Sequence, residues 1–185
     1  LARKAYPETS RGISTELEKE FKVINLINGY RQRGHHFTKT NPVRTRRTYR
    51  PTLDIINYGL AEEDLDTVFQ AGKEVGIGPA SLRDIIAFLK ETYCSSVGSE
   101  FLFIRHPEKT EWIQSRIEKS KNQTRYSTRE KKKIFGLLNR AVEFEQFIHR
   151  KFTGQKRFSL EGTENLIPAL HYIIDTGSDL GISEF

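Results

Sequence analysis

The chain has 185 residues, of which 29% are charged and 11% are aromatic, and its formal net charge is +6. The aromatic content excludes a disordered chain, and the length allows a core that needs no metal or disulfide staple. The single cysteine, Cys94, excludes an internal disulfide and favours a reducing compartment. No apolar run reaches the ~18 residues of a membrane-spanning helix, so no membrane contact is predicted. The chain has no methionine and starts at Leu1, so we expect an interior piece of a longer protein.

The first helix is predicted over residues 15–33. A loose polar lead-in over 1–13 would precede it, and one helical domain would span 14–185. Thr15 and Glu18 have the spacing of a capping box at the helix start. Apolar residues then recur at steps of three and four, which predicts a buried face of Leu17, Phe21, Ile24 and Ile27.

A long basic connector is predicted over residues 35–58, where two prolines and the lack of a steady apolar period argue against a regular element. Its arginines cluster around a tyrosine: Arg44, Arg46, Arg47, Tyr49 and Arg50. Such a cluster can bind phosphates or stack on bases. The alternative is a solvated loop whose arginines pair with acidic side chains of the same domain. We favour the loop, because no nucleic-acid-binding motif accompanies the cluster.

Shorter elements are predicted in the middle of the chain. A helix over 62–70 would begin with three acidic residues at its positive N-terminal end. Its inward residues would be Leu65, Val68 and Phe69. A helix over 79–94 has one apolar stripe of Leu82, Ile85, Ile86, Leu89 and Tyr93. Residues 100–104 are predicted to be extended, and a helix over 107–119 begins with a proline. That helix would bury Trp112, Ile113 and Ile117.

Two further helices are predicted towards the C-terminus. Ser127 and Glu130 form a second capping-box pair for a helix over 127–151. The last helix begins near 163–165, with Pro168 in its first turn, where the missing N–H is harmless. Its predicted buried face is Leu166, Ile167, Leu170, Ile173 and Ile174. Residues 182–185 resemble the start of a strand. The fold class is therefore predicted as all-α, with about six helices, ending at the start of an α/β domain.

The segment over 151–170 is the most promising site for chemistry. Arg157 lies in a short connector near a helix N-terminus, where free N–H groups and the helix dipole would help it to bind an anion. The alternative is an ion pair between Arg157 and Glu161 that braces a turn, and spacing alone favours this alternative. The five histidines lack metal-ligand spacing and Cys94 has no cysteine partner. No metal site and no catalytic residue are therefore predicted in this chain.

Six segments of the chain, taken in order, carry a resemblance to one enzyme family. They are INGYRQRGHH at 27–36, LDIINYGLAEEDLDTVF at 53–69, LRDIIAFLKETYCSSVGSEFLFI at 82–104, PEKTEWIQSRIE at 107–118, FGLLNRAVEFEQFIHRKF at 135–152, and GQKRFSLEG with LIPAL at 154–170. Together they resemble the N-terminal helical region of the first, decarboxylating component of 2-oxoglutarate dehydrogenase. The resemblance covers residues 17–185.

The resemblance implies the reaction of the parent enzyme. Thiamin diphosphate and Mg2+ would support decarboxylation of 2-oxoglutarate in the citric acid cycle, and the succinyl group would pass to a lipoyl-bearing succinyltransferase. The parent would be a homodimer in a multienzyme complex, in the bacterial cytoplasm or the mitochondrial matrix. Residues 157–185 would lead into the first cofactor-binding domain. The fragment alone would be inactive.

The resemblance also ranks the candidate residues. Arg157 matches the family arginine beside the cofactor and substrate, which reverses the preference for an ion pair and favours cofactor binding. His35 has the next claim, although a structural role at a helix end is the stronger interpretation. The chain departs from the family at 37–52, and it lacks the later His-Arg-Gly-Arg and Gly-Asp-Gly segments.

Two other functions compete with the enzyme. The first is a basic helical interaction module that serves dimer packing or docking in a complex without catalysis of its own. The net charge of +6 and the arginine cluster motivate it. The second is a stand-alone nucleic-acid binder, which ranks last because only charge supports it.

Overall fold

The computed structural model describes residues 9–41, 43 and 53–185, and it describes side chains from Thr15 onward. The arginine cluster at 44–50 lies outside these residues, and the first eight residues of the predicted lead-in lie outside them as well.

The chain divides into two compact units, Leu1–Thr124 and Arg125–Phe185. Its described residues form five α-helices and two strands: α1 (Thr9–Arg33), β1 (Val68–Phe69), β2 (Ala80–Ser81), α2 (Leu82–Tyr93), α3 (Pro107–Ser120), α4 (Thr128–Lys151) and α5 (Leu166–Asp179). Short 3-10 turns cover Gly34–Phe37, Ile55–Tyr58, Glu62–Asp64 and Gln70–Val75. The strands pair antiparallel in a single small sheet. The all-α class is confirmed, and no helix among the described residues is long and apolar enough to cross a membrane.

Helix α1 begins six residues earlier than predicted, at Thr9, so the lead-in over 9–13 is helical and the prediction of a loose segment is wrong there. Thr15 and Glu18 lie inside the helix and cannot form an N-terminal capping box. Glu18 instead forms an ion pair with Lys22, one turn further along the helix, with 2.8 Å between Lys22 Nζ and Glu18 Oε1. The helix ends at Arg33, as predicted.

The buried face of α1 differs from the predicted one. Leu17 is 56% exposed and Phe21 is 65% exposed, so the prediction was wrong for both. The core contacts only the C-terminal half of the helix, where the fully or nearly buried residues are Val23, Leu26, Ile27 and Tyr30. Periodicity predicts an apolar stripe, but it does not predict how far along that stripe the neighbouring elements extend.

The helix predicted over 62–70 does not form. Only a 3-10 turn forms, at Glu62–Asp64, and Asp64 accepts from the Ala61 N–H at 3.0 Å at the start of the turn and from Lys19 Nζ at 2.5 Å. The chain then extends into β1, where Phe69 is 2% exposed but Val68 is 61% exposed. Alternation along a strand turns these two neighbours to opposite faces, so the inward placement of Val68 was wrong.

The helix predicted over 79–94 is α2, and it begins three residues later because Ala80–Ser81 form β2. Ser81 caps it: the Ser81 Oγ accepts from the Asp84 N–H at 3.1 Å. The apolar stripe is confirmed, with Leu82, Ile85 and Leu89 fully buried. Residues 100–104 form a turn rather than an extended segment, and this turn buries Phe101.

Helix α3 is confirmed, and Ile113 and Ile117 pack against the core of the first unit. Trp112 is 61% exposed, so its predicted burial was wrong. The Arg116 guanidinium lies 4.8 Å from the centre of the Trp112 ring. A cation over the face of a tryptophan stabilises the ring at the surface.

The second unit contains α4 and α5. The capping box is confirmed: the Ser127 N–H donates to Glu130 at 2.7 Å, and the Ser127 Oγ accepts from the Glu130 N–H at 3.3 Å. Pro168 lies in the first turn of α5, as predicted. The predicted buried face of α5 was wrong within this unit, since Leu166, Leu170, Ile173 and Ile174 are each more than 40% exposed. In a pair of helices such as α4 and α5, each helix covers only one face of the other. Residues 182–185 form no strand.

Candidate functional site

The connector between α4 and α5, residues 152–165, carries Arg157. Helix α4 ends at Lys151, and Gly154 then adopts the left-handed conformation with a φ of 81°. Residues other than glycine rarely adopt this conformation. At Gly154 it turns the chain back along the helix. Gly162 adopts the same conformation, with a φ of 88°, before α5 begins.

Glu145, in the C-terminal half of α4, holds the connector against the helix. One carboxylate oxygen accepts from the Leu160 N–H at 2.6 Å, and the other accepts from the Ser159 hydroxyl at 2.7 Å. The Leu160 N–H, the Ser159 hydroxyl and the nearby Arg157 charge hold the pKa of Glu145 below its ordinary value. The side chain therefore acts as an ionised clamp with two hydrogen bonds.

Arg157 contacts α4 one turn further along. Its Nη1 lies 2.9 Å from Nδ1 of His149. A guanidinium has only donors, so in this hydrogen bond the His149 Nδ1 is the acceptor. This contact fixes one edge of the guanidinium without neutralising its charge.

The alternative role predicted for Arg157 was an ion pair with Glu161. Among the described residues no ion pair joins the two; the Glu161 N–H donates to the Ser159 Oγ at 3.1 Å. Arg157 is exposed. An exposed guanidinium held on one edge by a histidine can bind a diphosphate or a carboxylate, so its chemistry fits the anionic groups that the resemblance implies.

The neighbours of Arg157 add positive charge and an exposed ring. Lys156 Nζ lies 6.0 Å from the centre of the Phe158 ring. Phe158 is 94% exposed. No group of three or more His, Cys, Asp or Glu residues in the described part of the chain could hold a metal ion. The described residues therefore include no cluster of side chains that could hold Mg2+.

His35 lies at the end of α1, in the first unit. Its Nε2 lies 3.1 Å from a carboxylate oxygen of Glu100. The preceding residue, Gly34, packs so closely on Tyr93 that a Cβ there would lie 2.5 Å from the Tyr93 Cβ. His35 is thus held in a tight corner between α1 and the 95–104 loop, which suits a bracing role.

The second basic run, Arg129 to Lys133, lies in the first turns of α4, and all its residues are exposed. Lys133 pairs with Asp175 of α5 at 3.0 Å. A surface pair of this kind contributes little to stability. Within this unit the run forms a solvated helix face.

Comparison with known proteins identifies the relatives of the chain. No family model matches it. The chain is 37% identical over 185 residues to the 2-oxoglutarate dehydrogenase E1 component of Azotobacter vinelandii. It is 39% identical over 170 residues to the multifunctional 2-oxoglutarate metabolism enzyme of Mycolicibacterium vanbaalenii. It is 36% identical over 177 residues to the mitochondrial 2-oxoglutarate dehydrogenase of Caenorhabditis briggsae.

The chain is homologous to part of 2-oxoglutarate dehydrogenase. The matches cover 98%, 90% and 91% of this chain, respectively, but only 20%, 14% and 17% of those three proteins. The chain therefore spans a fifth or less of the curated relatives it matches. The resemblance to the helical region of this enzyme is confirmed.

Two features of this chain escaped the sequence analysis. The first is the clamp by Glu145, which lies four residues before His149 and so shares its helix face. That spacing was available in the sequence, but it gave no sign that the connector folds back onto this face. The second is a buried polar cluster of Arg31, Tyr93 and Glu118 in the first unit. These residues are far apart in the sequence, and no local signal joins them.

Proposed function

We propose that this chain is a helical segment of an enzyme that decarboxylates 2-oxoglutarate with thiamin diphosphate. The observation that carries this proposal is the match at 36–39% identity over at least 90% of the chain to proteins named for 2-oxoglutarate dehydrogenase or 2-oxoglutarate metabolism. Thiamin diphosphate, when bound, supplies the carbanion chemistry of the decarboxylation. The segment supplies structure and one charged side chain.

Arg157 is the residue that we propose to meet the anionic end of a ligand. Its guanidinium is exposed, anchored on His149, and next to Lys156. Its remaining N–H groups would donate to the diphosphate of the cofactor or to a carboxylate of 2-oxoglutarate. A fixed guanidinium offers two parallel donors to such a group, which a lysine cannot do. Mg2+ would be held by residues outside the described part of this chain.

We also propose the wider setting that the family resemblance implies. The enzyme would act in the citric acid cycle as a homodimer in a multienzyme complex, and it would pass the succinyl group to a lipoyl-bearing succinyltransferase. The relatives include bacterial and mitochondrial proteins, so the compartment would be the bacterial cytoplasm or the mitochondrial matrix.

Substitutions at Arg157 in the protein that carries this chain test the site. In Arg157→Ala, we expect the Kd for thiamin diphosphate to rise about 10-fold or more if the diphosphate is the partner, because a charge-assisted hydrogen bond is lost. If the substrate carboxylate is the partner, the KM for 2-oxoglutarate would rise instead. Arg157→Lys should recover only part of either loss.

Arg150→Ala is the matched control. Arg150 is an exposed arginine at the end of α4, and it donates to Gln146 at 3.1 Å on the same helix. The control changes the net charge by the same amount outside the connector. If Arg157→Ala and Arg150→Ala left both the cofactor Kd and the substrate KM unchanged, Arg157 would have no part in the site.

A further inference from the structure

The connector and α4 are joined at two points on one face of the helix. Glu145 and His149 are four residues apart, which places them on the same face. Glu145 holds Ser159 and Leu160, and His149 holds Arg157. The connector therefore runs antiparallel to α4 between these points.

We propose that Glu145 and His149 are positioning residues, which fix the connector on α4 so that the Arg157 guanidinium is presented to its anion in one orientation. This inference rests on the proposed anion-binding role of Arg157. Neither side chain touches the anion in this proposal. Glu145 holds the backbone on the C-terminal side of Arg157. His149 holds one edge of the guanidinium.

The Glu145 contact restricts the backbone most directly. Its two oxygens bind the Ser159 hydroxyl and the Leu160 N–H, so two successive residues are fixed by one side chain. The Glu161 N–H also donates to the Ser159 Oγ at 3.1 Å, which extends the order by one residue. Without Glu145, no other described side chain is within hydrogen-bond distance of the Leu160 N–H.

The His149 contact fixes the side chain that does the work. An arginine has several rotatable bonds, and ordering it on binding costs affinity. Because His149 accepts from one Nη, the guanidinium is ordered before an anion arrives. Because the ionised Glu145 carboxylate lies near Arg157, its removal would by charge alone favour anion binding, so weaker binding in a Glu145 variant reports lost positioning.

Hydrogen exchange in the protein that carries this chain tests the clamp. In Glu145→Ala, we expect the amide of Leu160 to exchange about 10-fold faster or more, because its acceptor is removed. Glu145→Gln keeps one acceptor oxygen and should give an intermediate rate. Glu143→Ala is the matched control: the same charge is removed from an exposed position of α4. A Leu160 exchange rate that is the same in wild type and Glu145→Ala would overturn the proposal.

Binding of inorganic pyrophosphate to the same variants tests the consequence for Arg157. We expect Glu145→Ala and His149→Ala to raise the pyrophosphate Kd several-fold in the wild-type background. In an Arg157→Ala background neither should raise it further, because a positioning residue acts only through the residue it positions. A merely structural role would weaken binding equally in both backgrounds, and that result would also overturn the proposal.

The two measurements separate this inference from the function it rests on. If wild type binds pyrophosphate no better than Arg157→Ala does, the anion-binding role of Arg157 is wrong. If wild type binds through Arg157 but Glu145→Ala binds equally well, the positioning role is wrong. Ser159→Ala removes one clamp bond from an exposed residue, so it gives a smaller exchange effect in a folded protein if Glu145→Ala does not fold.

Discussion

Arg31 and Glu118 form a buried ion pair that joins α1 to α3. The Arg31 Nε donates to a Glu118 oxygen at 2.8 Å, and each side chain is 8% exposed. Tyr93 donates its hydroxyl to the same oxygen at 2.7 Å, and the Arg31 Nη2 donates to the Glu74 carbonyl at 2.9 Å. Buried charges are tolerated only when they are paired and hydrogen-bonded, and this cluster meets both conditions.

Removing one partner of this pair should destabilise the first unit strongly. In Glu118→Ala, the Arg31 charge stays buried without its carboxylate and Tyr93 loses its acceptor. We expect the free energy of unfolding to fall by about 3–5 kcal/mol. Urea unfolding followed by the fluorescence of Trp112, the single tryptophan of the chain, measures it.

An exposed pair in the same unit provides the comparison. The Lys121 Nζ lies 2.7 Å from the Glu91 Oε2, and the two side chains are 45% and 43% exposed, respectively. Glu91→Ala should cost at most about 1 kcal/mol, because solvent screens the pair. Equal decreases in the free energy of unfolding for Glu118→Ala and Glu91→Ala would show that the buried cluster stabilises the fold no more than the exposed pair does.

Gly34 should not tolerate a side chain. A Cβ at this position would lie 2.5 Å from the Tyr93 Cβ and 3.1 Å from the Tyr93 carbonyl oxygen, so backbone would have to move. We expect Gly34→Ala to lower the free energy of unfolding by about 1–3 kcal/mol. Thermal unfolding followed by circular dichroism measures the change.

Gly136 gives the opposite expectation for the same substitution. It lies inside α4, and a Cβ there meets no atom within 4 Å. Gly136→Ala should raise stability by about 0.5–1 kcal/mol, since alanine favours a helix interior. A loss in Gly136→Ala as large as in Gly34→Ala would contradict the steric argument.

Stability of the first unit should fall at alkaline pH. Burial raises the pKa of the Cys94 thiol to about 11. Burial also raises the pKa of Tyr30 and Tyr93, and the Glu118 charge adds to the effect on Tyr93. The unfolded groups titrate near about 8.5 for cysteine and about 10 for tyrosine.

The sign follows from these directions. A group whose pKa is higher in the folded state stabilises the fold fully below its unfolded pKa, and it loses that contribution as the pH rises. We expect the urea midpoint to be constant near neutrality and to fall above about pH 8.5. The free energy of unfolding should fall by up to about 1.4 kcal/mol per pH unit for each titrating group. In Cys94→Ala, the fall should begin nearer pH 10. A midpoint that rises between pH 9 and pH 10 would contradict this account (both pH values approximate).

Local signals predicted the local features of the fold. The capping box at Ser127, the proline at the start of α3 and the apolar stripe of α2 each depend on residues that are close together in the sequence. The helix over 62–70 was mispredicted because Val68 and Phe69 pair as a strand with Ala80 and Ser81, residues that lie more than ten positions away in the sequence. The burial of Leu17, Phe21 and Trp112 depends on which neighbours reach them.

The candidate site was predictable only as a residue and not as a geometry. Arg157 was singled out by its position in a charged connector and then by the family resemblance. Its partners, His149 and Glu145, belong to the preceding helix, and only the left-handed turn at Gly154 brings the connector back onto them. The arginine cluster at 44–50 stays a prediction, since it lies outside the described residues.

The most direct test is release of labelled CO2 from 2-oxoglutarate by the protein that carries this chain. Wild type, Arg157→Ala and Arg150→Ala would be assayed with and without thiamin diphosphate. We expect wild type and Arg150→Ala to release CO2 only when the cofactor is present, and Arg157→Ala to be impaired. Cofactor-dependent release that is equal in all three proteins would remove Arg157 from the site. No release from wild type with saturating cofactor and substrate would contradict the proposed enzyme.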